Sequence, residues 1–315
     1  NDFINANLPN ISGTLYFWTH NTAIANTNQA NNANNHTTND YAMYNLIGGI
    51  ATGATVGTPC ANCPSSQIPT GYIASGQGFL VEAENDTNDV VFNNSMRSSG
   101  YDNDYFYRVN PNAANTHSTS GVVSDKIWLN FGNNDGFFSQ QLIGYTAAAT
   151  NGYDKGYDGL HNNALNYVNF YSLIGSEMYR IQGRTTFDIN DEVPLGYTTA
   201  VAGTFTISSP KQEGILEEIP VYLEDKTTGI LHNLKMSPYT FDTAVGTFND
   251  RFVLRYTNTT LGAPDFEAIS SQVVAFGSNG LISIKSSEES IASVTVYDIL
   301  GRTLLTKNGL SVNEV

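Results

Sequence analysis

Positively charged side chains are scarce. The chain has 315 residues, and 14 Lys and Arg stand against 29 Asp and Glu, a formal charge of -15. A polyanion repels phosphate backbones and anionic lipid headgroups, which excludes nucleic-acid binding and electrostatic membrane docking as first readings. Charge of either sign is short as well, at 14%, against roughly a quarter in an ordinary globular chain. No window holds the ~18 uncharged apolar residues that a membrane-crossing helix needs. The chain starts Asn1-Asp2-Phe3 without Met or a basic-then-apolar leader, as expected where a signal peptide is missing or already removed.

Cysteine is nearly absent. Cys60 and Cys63 stand in Pro-Cys-Ala-Asn-Cys-Pro. Zinc wants four ligands, and no second pair and no His-x-x-x-His follows. A thioredoxin-type pair opens a helix after a strand, whereas Gly57, Pro59 and Pro64 argue for a loop. The first expectation is a loop-clasping disulfide, which would fit an extracellular address. Free thiols come second, and metal or redox chemistry third.

Catalytic signatures are missing too. His20, His36, His117, His161 and His232 are scattered, and lone loop histidines are mostly polar surface. There is no Gly-x-Ser-x-Gly turn. A glycosidase needs two facing carboxylates, and nothing singles out one pair among 29 acids. The expectation is no catalytic residue, no enzyme and no cofactor.

What the chain does have is Asn, about three dozen residues, with 28 Gly, 18 Tyr and 16 Phe. Neutral polar residues suit turns and strand surfaces, and the aromatic content is enough for a core. Apolar and polar residues alternate over five to eight positions between Gly, Asn and Asp. Gly13–Trp18, Gly78–Ala83, Asp89–Asn93, Lys126–Phe131, Gln141–Tyr145 and Tyr167–Tyr171 all read as strands. In Lys126–Phe131, Ile127, Leu129 and Phe131 share one face and Lys126, Trp128 and Asn130 the other, the pattern of a half-buried antiparallel strand. Gly203–Ile207, Pro220–Glu224, Gly229–Leu234, Tyr239–Asp242 and Arg251–Tyr256 continue the rhythm, and Asp225–Gly229 supplies a hairpin turn. Only Glu192–Tyr197 and Tyr153–Leu165 are irregular enough to hide a helical turn.

A dozen or more short strands without helices predict an all-β fold: a large antiparallel β-sandwich, jelly-roll-like, over 1–262. Residues 21–40, rich in Asn, predict a long exposed loop. A polar stretch at 257–265 marks the boundary. Residues 263–315 then predict a small Ig-like β-sandwich with four short strands, which bury little and look incomplete. Gly301 is suited to a positive-φ turn.

Val294-Thr-Val-Tyr-Asp-Ile-Leu-Gly-Arg302 resembles the Val-Tyr-Asp-Leu-x-Gly-Arg signature of the C-terminal sorting domain of type IX secretion substrates of Bacteroidota. Val221–Lys226, His232–Leu234, Tyr239–Phe241 and Gly246–Arg255 resemble a module that often precedes that domain. Gly13–His20, Gly76–Phe79 and Phe92–Arg97 are similar to segments of flavobacterial surface proteins. One departure is the closing Val/Ile-rich hairpin with a basic residue, which does not follow here. The resemblance implies export across the outer membrane, with the type IX translocon and a PorV-like outer-membrane barrel shuttle as partners. The implied destination is the cell surface or the medium, as for adhesins or motility proteins of gliding flavobacteria. Val296, Tyr297, Asp298, Gly301 and Arg302 are then the sorting hairpin, with Arg302 pairing Asp298 or a translocon carboxylate.

Two further readings remain. Trp18 and Trp128, with Tyr16, Tyr101, Tyr105 and Tyr107, are a candidate platform for sugar rings, as in a carbohydrate-binding module or glycan-degrading enzyme fragment bearing the same tag. The competing account is sheet packing. Asp154 and Asp158, four apart in a Gly-rich loop, are a weak calcium candidate, and Asx-turns explain them as well.

Overall fold

The computed structural model describes residues 1–18, 41–52, 68–84, 89–97, 125–161, 168–258, 273–278, 281–286, 290–298 and 301–312. The Asn-rich tract 21–40, Cys60, Cys63, Tyr101, Tyr105 and Tyr107 lie outside the described residues. The chain divides into two units, Asn1–Asn258 and Thr259–Val315. The fold is all-β, and among the described residues the one α-helix is α1, Asp2–Asn7.

In the first unit, a four-stranded sheet centres on β1 (Ile11–Trp18). β2 (Tyr41–Tyr44) and β4 (Leu80–Ala83) flank it, and β3 (Gly49–Ile50) lies outside β2. Helix α1 buries Ile4 against Leu15, Phe17, Ala42 and Tyr44. The segment expected as a strand at Asp89–Asn93 is not one. It is held instead by a side chain that imitates a strand partner: Asn7 Oδ1 accepts from Val91 N at 2.6 Å and Asn7 Nδ2 donates to Val91 O at 2.9 Å.

The second sheet contains β5 (Asp125–Gly132), β6 (Phe138–Tyr145), β7 (Gly159–Leu160), β8 (Val168–Ile174), β9 (Glu177–Arg184), β10 (Glu192–Thr199), β11 (Gly203–Glu213), β12 (Tyr222–Asp225), β13 (Ile230–Asn233), β14 (Tyr239–Thr243) and β15 (Gly246–Arg255). Its order is β13-β12-β15-β10-β8-β9-β6-β5-β11-β14, with β7 attached to β9. Pairing is antiparallel apart from β6 with β9, which run parallel.

Aromatic residues fill the concave side of this sheet. Phe131 stacks on Phe205 with centroids 4.8 Å apart and lies 5.1 Å from Tyr197. The sheet curls far enough for its two ends to meet. Phe241 of β14 packs edge-on against Phe252 of β15 at 4.8 Å, and Tyr239 Oη donates to Asp225 Oδ2 of β12 at 2.9 Å. Strands from both ends thus share one core. Burying each Leu- or Phe-sized side chain contributes ~1.5–3 kcal/mol, so this cluster is the main apolar stabilisation of the unit. A second cluster joins the two sheets: Met43, Ile47 and Ile50 pack on Trp128, Leu142 and Ile181.

That second contact corrects the half-buried reading of Lys126–Phe131. β5 is buried on both faces, because the four-stranded sheet covers the side carrying Lys126 and Trp128. Lys126 is accommodated there by pairing with Glu213 at 2.8 Å.

Glu192–Tyr197, read as a possible helical turn, is the body of β10. At Pro194 the strand pairs only with Val253, since the β8 ladder begins at Leu195, so the missing proline N–H interrupts one neighbour at most. Gly196 is small because the Tyr171 ring lies over it, where a Cβ would collide. Of the other irregular stretch, the described residues from Tyr153 hold a turn and the two-residue strand β7.

Asp225–Gly229 closes the β12–β13 hairpin. Gly229 takes φ 71° and donates to Asp225 O at 2.8 Å.

The second unit contains two antiparallel pairs. β16 (Val273–Ser278) pairs with β17 (Leu281–Ser286), and β18 (Ile291–Tyr297) pairs with β19 (Thr303–Val312).

Candidate functional site

The β18–β19 connection carries the sorting-signal residues. Val296 and Tyr297 end β18, Asp298 opens the turn, Gly301 sits at its apex side and Arg302 leads into β19. Gly301 has φ 77°, a left-handed conformation that side chains with a Cβ resist. Backbone bonds of 2.9 Å run from Gly301 N to Asp298 O and from Asp298 N to Arg302 O.

The Asp298 carboxylate fastens the hook twice. Oδ1 accepts from Arg302 N at 2.9 Å and Oδ2 from Arg302 Nε at 2.6 Å. Much of the guanidinium stays in solvent, with the Arg302 side chain 75% exposed. Tyr297, Leu304 and Leu305 nearby are exposed apolar groups. The described residues of the turn are polar, with apolar groups on its flanks.

Trp128 is removed from the sugar-platform reading. Its exposure is 0%, and its Nε1 donates to Gly49 O at 2.9 Å. Lys211 Nζ lies 4.4 Å and Lys126 Nζ 5.5 Å from its ring centroid, and both lysines pair with Glu213. Burial resists ionisation of Glu213, but the two ammonium groups hold its carboxyl below the usual range. Trp18 is 44% exposed, and Tyr16 is part of the packing between the sheets. No shared aromatic surface joins the two tryptophans.

Asp154 and Asp158 do lie together, in a loop closed by hydrogen bonds. Thr150 N and Oγ1 donate to Asp154 Oδ2, Asp154 N donates to Asp158 Oδ2, and Gly183 N donates to Asp158 Oδ1 at 2.8 Å. The carboxylates serve backbone amides, as Asx-type turns do. Burial pushes the Asp158 carboxyl up to about 7, against the pull of its two backbone donors. Among the described residues no group of three or more His, Cys, Asp or Glu converges as a metal site.

Of the five histidines, His20, His36 and His117 lie outside the described residues. His232 is in β13, and its Nε2 meets Ser237 O at 2.8 Å. His161 corrects the surface reading, because it is only 8% exposed and its ring stacks on Tyr171 at 5.6 Å.

Buried ion pairs elsewhere are structural. Asp191 takes Arg184 Nε and Nη2 at 2.7 and 2.6 Å and the Tyr145 hydroxyl at 2.8 Å. Burial opposes the Arg184 charge, but Asp191 more than offsets it and raises the guanidinium pKa.

Residues 1–256 match the model of a family described as Domain of unknown function (DUF8693). The chain belongs to that family. The DUF8693 match spans both sheets of the first unit. Residues 261–315 match a second model, Domain of unknown function (DUF8694), which contains the Asp298–Arg302 hook. No curated protein and no solved structure matches the chain.

Proposed function

We propose that this chain is part of a type IX secreted cell-surface protein of Bacteroidota, with residues 263–315 acting as its sorting signal. The carrying observation is the Asp298–Arg302 hook, in which the signature residues form one carboxylate-fastened turn presented to solvent. A translocon and its outer-membrane barrel shuttle can grip such a turn by surface complementarity, without chemistry from the cargo. The first unit is then a stable displayed body in an adhesin or motility-linked protein. The acidic, lysine-poor composition suits display rather than binding to nucleic acid. The glycan-binding alternative loses Trp128 and is not favoured by any surface among the described residues.

The test places a periplasmic reporter ahead of residues 1–315, continued to the native C-terminus, in a gliding flavobacterium. Reporter at the surface or in the medium supports the reading, as does its loss in the Asp298→Ala/Arg302→Ala double variant. Periplasmic retention of the unaltered fusion would overturn it.

A further inference from the structure

Asparagine followed by glycine carries a chemistry of its own. The side-chain amide carbon is held close to the next backbone nitrogen, so attack within the chain closes a succinimide ring. Glycine puts no Cβ in the way. The chain has three such steps, Asn151-Gly152, Asn279-Gly280 and Asn308-Gly309. Asn279 and Gly280 lie outside the described residues. The structure treats the other two steps in opposite ways.

At Asn151 the attacking nitrogen is occupied. Gly152 N donates to Thr150 Oγ1 at 3.1 Å, and that hydroxyl is itself fixed by donating to Asp154 Oδ2 at 2.8 Å. At Asn308 the register leaves the nitrogen out of the ladder. Ile291 pairs with Val312 and Ser293 with Asn308, so residues 309–311 of β19 stand against the single residue Ala292 of β18. This is a β-bulge, whose extra residues are unpaired. Gly309 accordingly has no strand partner, and its φ of 70° is the left-handed conformation that glycine supplies to such bulges. Asn308 and Gly309 are both exposed, and open space surrounds the place where a Cβ on Gly309 would stand.

From this contrast we infer that Asn308 is a site of spontaneous modification, converting in the folded protein to aspartate and isoaspartate. The Gly309 nitrogen bonds to Asn308 Cγ, its proton leaves with the side-chain nitrogen as ammonia, and a succinimide remains. Water then opens the ring. Addition at the side-chain carbonyl gives isoaspartate's alternative, ordinary aspartate, and addition at the main-chain carbonyl routes the backbone through Cγ as isoaspartate. Water is the sole co-reactant. Asn308 shares its face of the hairpin with Thr306 and with its partner Ser293, so both products bring a carboxylate to a neutral, hydroxyl-bearing face. The isoaspartyl form also lengthens β19 by one methylene, beside the unpaired residues of the bulge. The site is independent of the export reading, because it depends only on the register of β18 and β19.

The experiment holds the full chain in mildly alkaline buffer, samples it over weeks and maps the peptides by mass spectrometry. Conversion is read separately at residues 151 and 308, and isoaspartate is counted by enzymatic methylation. In the folded chain Asn308 is expected to convert about tenfold faster than Asn151, the factor that one good hydrogen bond at Gly152 N is worth. In urea neither the bulge nor the Thr150 contact survives, and the two rates should converge. Thr150→Ala frees Gly152 N and is expected to raise the Asn151 rate while leaving that of Asn308 unchanged. The inference falls if Asn308 stays intact, or if Asn151 converts as fast in the folded chain. It falls equally if the difference persists in urea, or if Thr150→Ala leaves the Asn151 rate as it was.

Discussion

Arg251 of β15 reaches Asp225 of β12 with three contacts, Nη2 to Oδ2 at 2.8 Å and Nε to both carboxylate oxygens at 3.2 Å. The same guanidinium lies 4.4 Å from the Phe241 ring centroid and donates through Nη1 to Asp242 O at 3.2 Å. One side chain therefore ties β12 and β15 to β14, at the line where the curled sheet meets itself.

Asp225→Asn leaves that guanidinium without its counter-charge, and the expected loss is ~3–5 kcal/mol, read as a lower urea midpoint. Burial opposes ionisation of Asp225, but Arg251 and Tyr239 outweigh it and depress the pKa. The sign follows: this stabilisation is present above the unfolded carboxylate value and is lost as pH falls through the folded one. Midpoints of the unaltered chain should fall below about pH 4 more steeply than those of Asp225→Asn. Parallel curves would contradict the pairing.

Trp128 and Trp18 should separate cleanly in calorimetry. Trp128→Ala empties a buried site between the sheets, with an expected loss of ~3–5 kcal/mol. Trp18→Ala removes a half-exposed ring and is expected to lose under ~1 kcal/mol. Equal losses would mean that the two sheets do not pack through Trp128.

Asp158 gives the opposite pH sign. Its folded pKa of about 7 lies above the ordinary carboxyl value of 3.8, so folding takes up a proton. Its favourable contribution is complete below about pH 4 and disappears as pH rises through about 7. Between these limits the unaltered chain should lose stability relative to Asp158→Asn. A flat difference across that window, measured by urea unfolding, would refute the shift.

Gly301→Val forces a β-branched residue into a left-handed conformation, with an expected local penalty of ~1–2 kcal/mol. Hydrogen exchange at the Arg302 amide, which donates to Asp298 Oδ1, should accelerate, while amides of β5 and β6 keep their protection. Unchanged exchange at Arg302 would argue against the turn.

The fold was largely legible because period-two alternation is a local signal. Lys126–Phe131 and Tyr239–Asp242 could be assigned from neighbours a few positions apart. What failed depended on distant partners. Pro194 and Gly196 look like helix or loop residues until β8 is seen to start at Leu195 and Tyr171 to cover the glycine. Asp89–Asn93 has strand chemistry, but its backbone groups at Val91 are taken by the Asn7 amide. Trp128 looked like an outward aromatic because alternation cannot show that a second sheet covers that face.

The candidate sites follow the same rule. The Asp298–Arg302 contact spans four residues and could be anticipated from the string itself.

β13 and β14, the two terminal strands of the curled sheet, share no backbone ladder among the described residues. Closure there depends on rings, hydroxyls and the Arg251 fork. A cylinder laced along one line by side chains has a preferred place to come undone. Mechanical pull or mild denaturant should part that lacing while the other ladders hold, exposing a phenylalanine-rich lumen as an early, partly open state.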